Sequence, residues 1–486
     1  MTSITGGAPR SGSRLGWAVP QHVYNPVTHE TKSSPQNIPA QYFPFTVCNR
    51  EYNSVYRRKA TKMPALPSHK FATRALVAPA ALAMVGLALT ACGSKASDTA
   101  SGDGGTTAES CVDTSGSTIK VGSLNSLSGT MAISEVTVRD SIALAIEEIN
   151  ASGGVNGKQI EVVAEDGASE PTVFAEKAEK LISSDCVAAV FGGWTSSSRK
   201  AMLPVFEDND ALLYYPVQYE GLEASENIFY TGATTNQQII PALDYLKEKG
   251  VKSLYLVGSD YVFPQTANRE IKAYAAANGI EIKGEDYTPL GSTDFSTIVN
   301  KVRSADADAV FNTLNGDSNV AFFREYTNAG LKAADMPVLS VSIAEEEVAG
   351  IGAQNIEGQL TAWNYYQTVD SPENTKFVAD YKAKYGADKP TSDPMEAAYT
   401  SVYLWKNTVE KANSFAVADI QAAADGVSFA APEGEVVIDG DNHHISKTAR
   451  IGEIRPDGLI YTVWESPTAI APDPFLETYD WASDLN

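Results

Sequence analysis

The sequence predicts an α/β protein built as two doubly wound parallel-sheet lobes, and three observations carry this reading. Strand and helix patterns alternate along the chain, the alternation runs in two successive series, and 486 residues exceed what one ordinary core holds. With 43% hydrophobic and 20% charged residues, the composition is that of a chain that buries a core.

The first series opens with an apolar strand at residues 119–124. Val138, Ile142, Ala145, Ile146 and Ile149 then recur at helical spacing, a Gly-Gly stop follows at 153–154, and the next strand lies at 160–163. Helix at 172–182, strand at 187–191, helix at 198–207 and strand at 211–214 continue it. The second series reads as helix 236–248, strand 253–257, helix 265–277 and strand 280–283. Helix 295–302, strand 309–314, helix 318–329 and strand 338–341 complete it.

The net charge of −23 conceals two compositions. Residues 1–91 hold ten Lys/Arg and two Asp/Glu, whereas the remainder holds 27 Lys/Arg against 58 Asp/Glu. Such an acidic body repels nucleic acid, which is excluded as a partner. At the boundary, Lys70 and Arg74 precede an apolar run at 75–89 that ends in small residues before Cys92, the pattern of a secretory signal peptide. The run is too short for a transmembrane helix. Cys92 directly after Leu-Thr-Ala resembles a bacterial lipobox, so Cys92 is the expected lipidation site. The chain is then exported and lipid-anchored at the outer face of the bacterial cytoplasmic membrane. Residues 63–91 read as the lipoprotein signal peptide starting at Met63, residues 1–62 as a non-native or disordered extension, and residues 92–117 as a flexible Gly/Ser-rich tether.

Cys111 and Cys186 form an even pair in an exported chain, so a disulfide is expected, with two buried free thiols as the alternative. Ligands of open parallel sheets bind beyond the carboxyl ends of the strands. That rule directs attention to 126–130, 166–169, 192–198, 215–219, 258–261 and 342–345, segments rich in Ser, Thr, Tyr and Trp but poor in Lys and Arg. In 192–198, small residues let a ligand approach the N–H groups of a helix start, and Trp194 adds a flat apolar wall suited to a planar molecule.

Other chemistries find less support. His443 and His444, adjacent in a Gly-Asp-Asn turn, read as surface structure and not as a metal site. Ser196–Ser198 with Lys200 superficially suggests an amidase, but Arg199 and Lys200 read as solvated residues of a first helical turn. The Gly-rich segment 153–158 lacks the Walker spacing, and no motif calls for a cofactor. The chain is expected to be a binding protein, with amide hydrolysis as the enzymatic alternative.

The stretches SLSGTMAISE (126–135), WTSSSRKAMLPVFE (194–207), YYPVQYEGLE (214–223), GSDYVFPQTAN (258–268), NTLNGDSNVAFF (312–323) and DPMEAAY (393–399) together resemble the urea-binding subunits of ABC transporters, within the type I periplasmic binding protein family. The resemblance spans 118–475. It extends almost equally to a cytosolic receptor for short-chain amides and more distantly to branched-chain amino acid receptors. It implies lobe 1 at about 118–234 plus 364–440 and lobe 2 at about 235–363 plus 441–486, joined by a multi-crossing hinge. It further implies capture of urea or a small amide and delivery to ABC permease and ATPase subunits. Position by position it brings Trp194, Ser196, Tyr215 and Tyr261 to the ligand. Thr195, Ser342 and Glu345 complete the candidate set, with Glu345 facing ligand N–H groups. Val217 and Gln218 depart from the amide receptors, which carry threonine and proline after Tyr-Pro.

Overall fold

The computed structural model describes residues 110–485. The extension, signal peptide and Cys92, with most of the tether, lie outside the described residues. Among the described residues no helix is long and apolar enough to cross a membrane.

The first lobe alternates β1 (Thr118–Asn125), α1 (Ala132–Ala151), β2 (Gln159–Asp166), α2 (Pro171–Ser183), β3 (Val190–Gly192), α3 (Ser196–Asp208), β4 (Leu213–Tyr215) and β5 (Ile228–Tyr230). All five strands run parallel in the order β2-β1-β3-β4-β5. The second lobe adds α4 (Ile239–Glu248), β6 (Ser253–Ser259), α5 (Val262–Asn278), β7 (Glu281–Thr288) and α6 (Ser296–Ala305). It continues with β8 (Ala309–Thr313), α7 (Ser318–Asn328), β9 (Val338–Ser340), α8 (Glu345–Ile351) and β10 (Leu360–Trp363). Its parallel strands repeat the first order, as β7-β6-β8-β9-β10. Each sheet therefore has a switch point beside its first strand, where loops leave in opposite directions and open a crevice.

The chain then returns to the first lobe with α9 (Pro372–Tyr385), α10 (Asp393–Ala412), α11 (Val417–Ala423) and the hairpin β11 (Ser428–Ala431)–β12 (Gly434–Val437). It ends in the second lobe with β13 (Arg450–Ile454) and β14 (Ile460–Glu465), an antiparallel pair that extends that sheet from β10. One apolar cluster gathers the first sheet with residues as far as Ile445, and two others cover the faces of the second sheet. The sequence-based division hands residues from 441 onward to lobe 2. The structure instead stacks His443 on Phe229 and His444 on Tyr230, ring centroids 4.4 and 4.2 Å apart, so the chain leaves the first lobe only after Ile445. These histidines are 4% and 0% exposed, which corrects the expectation of a surface turn.

Three crossings link the lobes, and Asn364 ties them. Its Nδ2 donates to the carbonyls of Gln237 and Thr448 at 3.2 and 3.0 Å, joining the second crossing to the first and third.

Cys111 and Cys186 lie at bonding distance, their Cα atoms 5.3 Å apart across 75 residues of sequence. The pair sits at the end of the first sheet away from the crevice, before β1 and before β3. Closing so long a loop removes denatured-state entropy, so Cys186→Ser is expected to cost about 2–4 kcal/mol. The guanidinium chloride midpoint with and without reductant measures it. An unchanged midpoint on reduction would show that the bridge does not stabilise the fold.

Candidate functional site

Gly192 and Gly193 shape the turn between β3 and α3. Both adopt positive φ, 127° and 81°, and a Cβ on Gly192 would stand 2.2 Å from the Leu124 carbonyl oxygen, so the strand can turn into the helix only without side chains there. Thr195 caps α3, its Oγ1 accepting from the Ser198 N–H at 3.1 Å and lying 2.7 Å from Ser198 Oγ. That hydroxyl serves the helix, and Ser196 occupies the first helical position.

Ser196 Oγ donates to Glu220 Oε2 and accepts from Arg199 Nη1 at 3.0 Å. The Arg199 guanidinium is wholly enclosed. Its Nε lies 2.7 Å from Glu223 Oε1, its Nη2 lies 3.2 Å from Glu220 Oε1, and its plane covers the Tyr219 and Tyr215 rings at 4.4 and 5.1 Å. Burial pushes the Glu223 carboxyl up, but the charge and hydrogen bonds of Arg199, with Lys200, outweigh it and bring the carboxyl down to about 2. The expectation of a solvated Arg199 is therefore corrected: it is the organising cation beneath the site. Lys200 Nζ, 40% exposed along its side chain, pairs with Glu223 Oε2 at 2.8 Å and not with a serine.

Tyr219 and His444 extend this network. The Tyr219 hydroxyl lies 2.6 Å from His444 Nε2, and His444 Nδ1 lies 2.7 Å from the Asn442 carbonyl oxygen. Burial brings the imidazole down to about 3, so it is neutral, with both ring nitrogens engaged by the protein.

Tyr215 donates its hydroxyl to the Trp194 carbonyl and lies against Gly193, so Trp194, Ser196 and Tyr215 form one wall. Tyr261 stands at the start of α5 on the other lobe, and its hydroxyl donates to Asn315 Oδ1. Helices α3 and α5 approach each other across the crevice. Burial, then the nearby Tyr215 and Glu220, push the Tyr261 hydroxyl well above its ordinary value. Ser342 joins through Gln218, whose Nε2 donates to Ser342 Oγ at 2.8 Å. Glu345 opens α8 and faces the second crossing: its Oε1 accepts from the Gln367 N–H at 2.8 Å, and no hydrogen bond ties it to the other candidates. Burial raises its carboxyl well above the usual range.

The crevice is closed. Ser134 donates to Glu347 and Thr137 Oγ1 donates to Glu346 Oε1 at 2.9 Å, linking α1 to α8. Gly316 packs so tightly that a Cβ would lie 2.7 Å from the Thr130 carbonyl oxygen. Enclosed polar atoms without a protein partner include Gln218 Oε1, Asn315 Nδ2, Glu345 Oε2 and Thr130 Oγ1. Sequence reasoning missed Arg199, Glu220, Glu223, Gln218 and Asn315 as site residues. The signal for the first three was the acidic pair inside an aromatic, uncharged loop, which demands a buried cation.

A family model described as "Periplasmic binding protein domain" matches residues 119–480. Leu/Ile/Val-binding protein homolog 6 of Brucella melitensis biotype 1 is 26% identical over 352 residues, covering 71% of this chain and 90% of the relative. Homolog 8 of Brucella abortus is 25% identical over 383 residues, covering 73% and 92%. Among solved structures, an R. palustris ABC-transporter solute binding protein in complex with 4-hydroxybenzoate superposes with TM-score 0.66 at 26% identity, covering 72% of this chain and 97% of that one. The fold is also that of a branched-chain amino acid transporter substrate binding protein of Streptococcus pneumoniae in complex with isoleucine, TM-score 0.65 at 23% identity, covering 73% and 100%.

Proposed function

We propose, from the premise that this chain belongs to the periplasmic binding protein domain family, that it is an extracytoplasmic solute receptor whose two lobes close on urea or a small uncharged amide and deliver it to an ABC permease and its ATPase. Export through the signal peptide at 63–91 and anchoring through Cys92 belong to the same reading.

One observation carries the choice of ligand. The hydroxyl hydrogens of Ser196, Tyr215 and Tyr261 are already donated within the protein, to Glu220, the Trp194 carbonyl and Asn315. Each hydroxyl therefore offers only lone pairs, as does Gln218 Oε1. A site rich in acceptors suits a ligand rich in N–H groups, and urea brings four in one plane. Its carbonyl oxygen finds donors in the N–H groups of Ser196 and Ser197 at the start of α3, which have no acceptor further back in the helix, and in Asn315 Nδ2. The Arg199 charge is spent on two carboxylates, so it is not free to pair with the carboxylate of an amino acid or a benzoate.

Branched-chain amino acids are the second reading, favoured by the names of the Brucella relatives. Isothermal titration of the full-length protein in detergent with urea, acetamide, formamide and isoleucine separates them. Urea binding is expected to weaken at least tenfold, about 1.4 kcal/mol, in Ser196→Ala, because Arg199 and Glu220 then lose the atom that aligns the α3 start. Preference for isoleucine would keep the fold and overturn the ligand.

A further inference from the structure

We infer that Gln218 is the specificity-determining clamp of this receptor, one end of its amide latching the second lobe and the other accepting an N–H group of the bound ligand. The inference rests on the amide reading above for the identity of that ligand.

Gln218 leaves the loop after β4 on the first lobe, yet its side-chain nitrogen belongs to the second. Nε2 donates to the Val341 carbonyl oxygen at 2.9 Å and to Ser342 Oγ at 2.8 Å, immediately beyond the carboxyl end of β9. A carbonyl oxygen can only accept, so the amide has a single orientation, with nitrogen towards β9 and Oε1 turned away from it. Val341 is held from a second side by Gln238 Nε2 at 3.1 Å, and the Ser342 carbonyl lies 3.4 Å from Asn319 Nδ2. The latch therefore closes on a braced segment.

Oε1 is the second half of the argument. The residue is 4% exposed, and Oε1 has no hydrogen-bond partner in the protein. A buried amide oxygen without a partner is costly, and an N–H from the ligand is the group that relieves it. Bonding at both ends makes ligand capture and lobe closure one event, because the same rigid amide plane must meet Val341 and the ligand together. A ligand without N–H groups leaves Oε1 unpaired and is rejected on that ground. Proline or an aliphatic residue here would supply neither end.

The test uses the full-length protein in detergent, wild type, Gln218→Met and Ser342→Ala, titrated with urea, isoleucine and 4-hydroxybenzoate, with small-angle scattering for the contraction on binding. Gln218→Met keeps the side-chain length and removes both ends. It is expected to lose at least tenfold in urea affinity and to contract less at saturating urea, while Ser342→Ala, losing one latch partner, shows the same effects in weaker form. Urea affinity and contraction unchanged in both variants would overturn the inference. If the wild type binds isoleucine and not urea, the urea reading fails, and the clamp stands only if Gln218→Met weakens isoleucine, whose ammonium supplies the N–H. A wild type that binds only 4-hydroxybenzoate overturns the clamp as well.

Discussion

Arg199→Met is expected to cost about 3–5 kcal/mol of stability and to abolish ligand capture. The guanidinium is fully enclosed between Glu220 and Glu223, and removing it leaves two carboxylates buried without their cation. Lys200 touches the pair only from the rim, 2.8 Å from Glu223 and 4.0 Å from Glu220, and cannot replace it. Ser196 and the Tyr215 and Tyr219 rings lose the group that fixes them, so the first-lobe wall loses its geometry. Glu223, held at about 2 in the folded protein against about 4.3 unfolded, adds stability above pH 4 that is lost as pH falls towards 2. That acid-sensitive portion should vanish in the variant. Guanidinium chloride is the denaturant to use, because urea is the proposed ligand. Adding Glu223→Gln should restore part of the loss. A midpoint equal to wild type would show that the two carboxylates do not depend on Arg199.

Lys447→Met is expected to cost a comparable amount, about 3–5 kcal/mol, through the hinge. Lys447 lies on the third crossing with no exposed surface. Its Nζ stands 2.8 Å from Glu433 Oε2 and donates at 3.0 Å to the Thr231 carbonyl on the first crossing. Asp393 completes the brace, its Oδ2 accepting from the N–H groups of Asn364 and Tyr365 on the second crossing at 2.9 Å. Burial pushes the Asp393 carboxyl up to about 6 even with Lys447 pulling it down, and burial raises Glu396 well above the usual range. Without Lys447 these carboxyls rise further. A carboxyl raised in the fold weakens stability as pH climbs through its folded value, so the loss should be largest near pH 7 and shrink towards pH 5. Equal losses at both pH values would show that the cluster is not what Lys447 serves.

Much of this architecture is legible in local pattern. The strand and helix series up to 341 appears with shifts of a few residues at most ends, because strands buried in parallel sheets read as apolar runs and the helices between them read at a period of 3.6. The crevice loops followed from the carboxyl-end rule. Local pattern missed β5, β10 and the strands that return antiparallel. β5 and β10 hold three and four residues, and β13 with β14 joins the second sheet from the chain's far end. It failed again at the helix start, where α3 begins at Ser196, two residues before its expected position, with Thr195 as its cap.

The sequence by itself determined the two-lobe α/β plan and which loops face the crevice, since both depend on residues near one another in the chain. Only the tertiary structure decided which charges are buried. Arg199 reads locally as a solvated residue until the fold brings Glu220 and Glu223 to it from 21 and 24 positions away. Lys447 meets Thr231 across 216 residues, and Gln218 meets Ser342 across 124. Burying a charge or an amide is affordable only with its partner in place, and partners at such separations are chosen by the fold and not by the neighbourhood in sequence.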